Sequence, residues 1–134
     1  LQGKETQAQI QFSRALTAIE KWKPQEPDDE ANRLTIRAHC QAYLGRFDAA
    51  LMSSLESLAL NPLERDHVSG TIFQRAHTFI LALTGQRDEA LERIAANIDA
   101  PEGFSRWELY LDPEWDFFRD DERFNELVRP EGVP

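Results

Sequence analysis

Tyr43-Leu44-Gly45-Arg46-Phe47-Asp48-Ala49-Ala50-Leu51 holds a helix end, a tight turn and a helix start. Gly45 can take the left-handed backbone conformation that closes a helix, and Asp48 stands where a carboxylate can cap the next one. The layout returns at Leu83-Thr84-Gly85-Gln86-Arg87-Asp88-Glu89-Ala90-Leu91. Laying the chain over itself on Gly3, Gly45 and Gly85 brings Ala8, Ala50 and Ala90 into register, and further on Leu16, Leu58 and Ile98. An internal period of this kind marks stacked units. A small residue is needed where two helices cross closely, and a large apolar one where the second helix of a unit meets the next unit.

Outward from these turns, apolar residues recur at the three- and four-residue spacing of amphipathic helices, and little reads as strand. Ala8, Phe12, Ala15, Leu16 and Ile19 predict a first helix that runs out at Pro24. Pro24 to Asp29 reads as a loop in which Asp28 or Asp29 caps a helix starting near Ala31 and ending near Gly45. The next helix is expected to reach Leu60, before Asn61-Pro62. A long helix from Arg65 to Thr84, closed by Gly85, and a partner from Asp88 to Ile98, before Pro101, complete the pattern. Connections this short force neighbouring helices antiparallel, so an all-α fold of helical hairpins is expected.

The two turns, with Asn61-Pro62 after the first, resemble the tetratricopeptide repeat family. The resemblance implies antiparallel hairpins stacked as a short α-solenoid. On this reading 1–23 is the second helix of a truncated repeat whose first helix lies before Leu1, 31–62 and 65–100 are repeats, and 101–134 is a capping segment. The repeats are divergent: the family period is about 34 residues, whereas Gly3 to Gly45 spans 42 and Gly45 to Gly85 spans 40. The excess falls in the 25–29 loop and the 63–67 stretch. Leu34 and Gln74 stand where the family favours an aromatic, and Arg37 and His77 where it favours a large apolar residue. The tail, with Leu111-Asp112-Pro113, Trp115-Asp116, Arg119-Asp120-Asp121 and Arg123-Phe124, is similar to the closing segment of many bacterial tetratricopeptide proteins. In those the array often follows a kinase, cyclase or DNA-binding regulator.

The 134 residues are 41% hydrophobic and 29% charged, the make-up of one folded unit. No apolar run reaches the roughly 20 residues that cross a bilayer, and the start lacks a signal-peptide layout. A formal net charge of −9 repels nucleic acid, so no nucleic-acid or membrane partner is expected. Cys40 is the only cysteine, which excludes an internal disulfide and suggests a cytoplasmic, reducing setting.

Catalytic chemistry finds no foothold. Asp28/Asp29, Asp112/Glu114 and Asp120/Asp121 sit in expected caps and turns, where nothing sets their pKa values apart. His39, His67 and His77 lack metal-ligand spacing, and no glycine-rich phosphate loop is present, so no metal or cofactor is expected. His77 reads as surface or hairpin packing. A binding groove is better supported: the first helices of stacked hairpins line a concave face. That nominates Asn32, Thr35, Ile36 and His39, then Ile72, Arg75, Ala76, Phe79 and Leu83. The set lacks the lysine, asparagine and arginine pattern by which carboxylate-clamp members hold an acidic C-terminus, so an apolar peptide or helix, or the protein itself, is the expected occupant. The aromatics Trp107, Tyr110, Trp115, Phe117, Phe118 and Phe124 read either as an inward-facing cap or as an exposed partner site. The expected function is a non-catalytic protein-protein interaction scaffold. The alternative is a regulatory or self-association domain that dimerises an attached signalling domain.

Overall fold

The computed structural model describes residues 2–61 and 67–134. Among them the chain is all-helical: α1 (Gln2–Lys21), α2 (Pro27–Tyr43), α3 (Phe47–Leu60), α4 (His67–Leu83), α5 (Arg87–Asn97), α6 (Arg106–Leu111), a 3-10 helix (Pro113–Phe118) and α7 (Glu122–Val128). The expected stop at Pro62 and the expected start at Arg65 lie outside the described residues.

Both turn glycines act as their sequence context predicts. Gly45 and Gly85 have φ of +77° and +85°. In each turn the glycine N–H donates three residues back, to Ala42 or Ala82, and the next N–H donates five back, from Arg46 to Gln41 and from Gln86 to Leu81. This paired bonding satisfies carbonyls that the helix end leaves without partners.

The expected carboxylate caps are corrected. α2 begins at Pro27, ahead of Ala31, because proline at the first helical position gives up no hydrogen bond and already has helical φ. Glu26 is the cap residue, in extended conformation and with no side-chain bond, so Asp28, Asp29 and Glu30 fall in the first turn. There they face the positive end of the helix dipole. Asp48 is displaced in the same way, because α3 starts at Phe47 with Arg46 as its cap residue. Side-chain caps occur in the tail, where Ser105, Asp112 and Asp121 accept from Glu108, Glu114 and Arg123 N–H groups. Helices of six or seven residues cannot offset the cost of nucleation by their own ladder, and these caps supply bonds where they are scarce.

α2 and α3 pack through small and polar residues. Ala31, Ala38 and Ala50 are fully buried. Asn61 donates to Asp28, Ser57 to the Ala31 carbonyl, Arg37 to Ser53 and Ser53 to Gln41. Partners rise along α2 as they fall along α3, so the two helices run antiparallel. α4 distributes its residues over α2, α3, α5 and the tail, with His39 of α2 stacked on its Phe79. His77 meets Ser54 of α3, Gln74 accepts from Arg93 of α5, and Phe79 joins the tail.

The tail builds the apolar core. Phe104, Leu109, Trp115, Phe118, Phe124 and Val128 cluster with Phe79, Leu81, Ala90, Leu91 and Ile94. Phe118 and Phe124 stack at 4.7 Å. Each fully buried ring of this kind contributes about 1.5–3 kcal/mol. The chain enters this core through a tight loop in which Asp99 and Glu102 have positive φ. Asp99 N–H donates to Phe104, and Phe104 N–H to Asn97. A Cβ on Gly103 would lie 2.0 Å from the Asn97 carbonyl oxygen, so only glycine allows this approach.

Candidate functional site

α2 and α4 lie side by side, and their shared face carries most of the nominated residues. The His39 ring stacks on Phe79 at 5.4 Å, and its Nδ1 donates to the Thr35 carbonyl at 2.9 Å. Segment 104–118 lies across one end of this face. Trp115 and Phe117 meet Phe79 edge-on at 5.0 and 5.7 Å. The Arg75 guanidinium lies 5.2 Å over the Phe104 ring and is paired with Glu108. Arg75 Nε is buried without a hydrogen-bond partner among the described residues.

Among the described residues this face is therefore covered at one end by the chain's own tail and uncovered at the other. Phe79 is in the core and Leu83 is packed against it, so neither offers a free surface. Thr35 turns its hydroxyl to the Ala31 carbonyl and to Ser57 Oγ of α3, at 3.0 and 2.9 Å, and faces the neighbouring helix instead of the groove. His39, Arg75 and Ala76 are partly buried, while Asn32 is exposed. Ile36 and Ile72 remain 44% and 57% exposed. These two isoleucines are the apolar part of the nominated face left most exposed among the described residues.

Between the open and filled ends lies a recess of about 180 Å³. Ile72, Ala76 and Phe79 line it from α4, and Phe104 and Trp115 from the tail. His39, Arg75 and three carboxylates, Glu108, Asp112 and Glu114, complete the lining. Nearby, Tyr43 stacks on Phe12 of α1 at 4.6 Å. Burial, and then the charge of Glu114, raise the Tyr43 pKa above its ordinary value. The sequence named the α2 and α4 members but not the tail carboxylates. They lie some thirty residues or more from their neighbours on α4, beyond the reach of helical spacing.

A second recess, of about 250 Å³, lies between α4, α5 and the 101–104 loop, and is lined by Gln74, Thr78, Arg93 and Asn97 among others. Its polar groups are largely engaged. Arg93 donates to Gln74 and Glu89, Thr78 to the Gln74 carbonyl, and Asn97 to the Arg93 carbonyl.

His77 is buried, not superficial, and its Nδ1 lies 2.7 Å from Ser54 Oγ. Burial, with Arg93 adding repulsion, pushes its pKa down to about 4, so the ring is neutral at pH 7. A base this weak abstracts little from a serine hydroxyl at neutral pH. Neither residue lines either recess, so the pair braces α3 against α4. Among the described residues no group of three or more His, Cys, Asp or Glu side chains is placed to hold a metal ion. No helix among them is long and apolar enough to cross a membrane.

No known protein family, curated protein or solved structure matches the chain, so the resemblance to tetratricopeptide repeats rests on the turn and register residues themselves.

Proposed function

We propose that this chain is a non-catalytic interaction scaffold, a divergent tetratricopeptide-like stack of helical hairpins that binds a peptide or helix of another protein. Its α6, 3-10 helix and α7 serve as the cap of a short solenoid, and it works as the C-terminal region of a larger bacterial protein. One observation carries this reading: Ile72 of α4, which lines the recess, and Ile36 of α2, one helical turn before the recess residue His39, stay exposed, while the tail covers Phe79. The tail segment packed across one end is the chain's own example of how an aromatic, short-helical segment is held there. The test is retention of proteins by immobilised wild type, by Ile36→Asp/Ile72→Asp, and by a control pair on the outer face of α3, Met52→Asp/Leu55→Asp. Proteins lost with the first variant and kept with the second support the groove. The reverse pattern moves the binding surface to α3.

Self-association is the second reading, and one observation favours it. Ala50, Ser53 and Ser57 of α3 are buried under α2, while the residues in equivalent register on α1, Ala8, Gln11 and Ala15, are exposed. A helix from a second copy can cover that face. Light scattering across a concentration series separates the readings: a monomer throughout leaves the partner-binding reading alone, and a dimer abolished by Ala15→Glu supports the second.

A further inference from the structure

Resting on the groove reading above, we propose that the recess between α4 and the tail receives a lysine or arginine side chain from a partner peptide or helix whose apolar residues lie on Ile36 and Ile72. Charge selects this occupant. Three carboxylates line the recess against the Arg75 guanidinium, which Glu108 already pairs. Among the described residues no cation pairs with the side-chain carboxylates of Asp112 and Glu114, and the nearby Arg119 guanidinium is taken up by Asp116 and by the Leu109 and Asp112 backbone carbonyls. The Asp112 carboxylate accepts the Glu114 N–H, at 2.9 Å, and the charge of Glu114 is felt as far as Tyr43. An acidic side chain would meet both of them, and a purely apolar one would strip water from them without compensation.

The walls suit the same occupant. Ile72 and Ala76, with the largely buried rings of Phe104 and Trp115 behind them, give the recess an apolar wall along which the aliphatic stem of a long basic side chain can lie. The chain sets a basic side chain against a ring and a carboxylate twice on itself. Arg75 lies over Phe104 while paired with Glu108, and Arg87 lies 5.3 Å over Phe118 while paired with Asp120 at 2.8 Å. A volume of about 180 Å³ is enough to admit one long side chain. The net charge of −9 draws a basic partner from a distance.

The experiment selects random twelve-residue displayed peptides on the full 134-residue chain, then measures the enriched peptides by fluorescence anisotropy against wild type, Glu114→Gln, Glu114→Lys and Ile72→Asp. All three variants are at exposed positions, and urea unfolding checks that each stays folded. The expected result is a consensus with Lys or Arg three or four residues from an apolar side chain. Its affinity should fall about tenfold with Glu114→Lys, less with Glu114→Gln, and weaken as salt rises. A neutral or acidic consensus that Ile72→Asp still abolishes overturns the cation site and leaves the groove reading standing. Failure to enrich any peptide, or enrichment of peptides indifferent to Ile72→Asp, overturns both.

Discussion

The α2–α3 pair and the α4–tail region solve the same packing problem with different chemistry. α2 and α3 approach closely over alanines and serines, and the polar groups between them bond to one another: Ser57 to Ala31, Arg37 to Ser53, Asn61 to Asp28. The tail fills the space beside α4 and α5 with aromatic rings and leaves its polar groups on the outside. Close approach over small residues gives geometry, whereas burial of large rings gives most of the hydrophobic free energy. The first region therefore sets the angle at which helices present the groove. The second holds the molecule together and fills the groove at one end.

The contrast breaks if the aromatic core proves expendable. Phe118→Ala removes a ring with no exposed surface and is expected to cost about 3–5 kcal/mol, read as a lowered urea midpoint. An effect below that of the α2–α3 substitutions would mean that the tail is a loose appendage.

The junction of the two regions, where α3 meets α4, should show itself through pH. The neutral His77 has its folded pKa pushed down to about 4, below the ordinary value of 6.5 that the unfolded chain keeps. Its contribution is then full above pH 6.5, shrinks as pH falls through the window from 6.5 to 4, and is gone below it. About 2 kcal/mol should be lost by pH 5. Urea unfolding of wild type and His77→Gln at several pH values isolates this slope from that of the carboxylates, and equal slopes would contradict the burial of a neutral ring.

Within the polar region the expected effects are smaller. Ser57→Ala removes hydrogen bonds to the Ala31 carbonyl and Thr35 and is expected to cost about 1 kcal/mol by the same measurement. A cost as large as that of Phe118→Ala would reverse the division of labour between the regions.

The two regions also differ in how far they are legible from sequence. Gly45, Gly85, Ala50 and Ala90 mark turns and crossings because backbone conformation and close approach restrict the residue type locally. The caps were less legible. Asp28 and Asp48 have the right chemistry, but Pro27 and Phe47 start their helices one residue earlier. Helical spacing places Ile36 and Ile72 on one face, and the protein itself is among the occupants expected there, but that spacing does not say that Phe104, Glu108 and Trp115 are the residues covering Arg75 and Phe79. That contact is decided by three-dimensional packing between residues far apart in the chain. Hairpin packing is one of the two readings the sequence allows for His77, but its partner has no local signal, since Ser54 belongs to the preceding hairpin.

The most direct measurement of the central claim, that the open half of the groove is the working surface, is the affinity of one selected peptide for wild type and for Ile36→Asp/Ile72→Asp at matched urea stability. Both positions are exposed, so the urea midpoint is expected to move by no more than about 0.5 kcal/mol, while affinity falls at least about tenfold. Unchanged affinity in that variant, with loss in Met52→Asp/Leu55→Asp instead, would contradict the account.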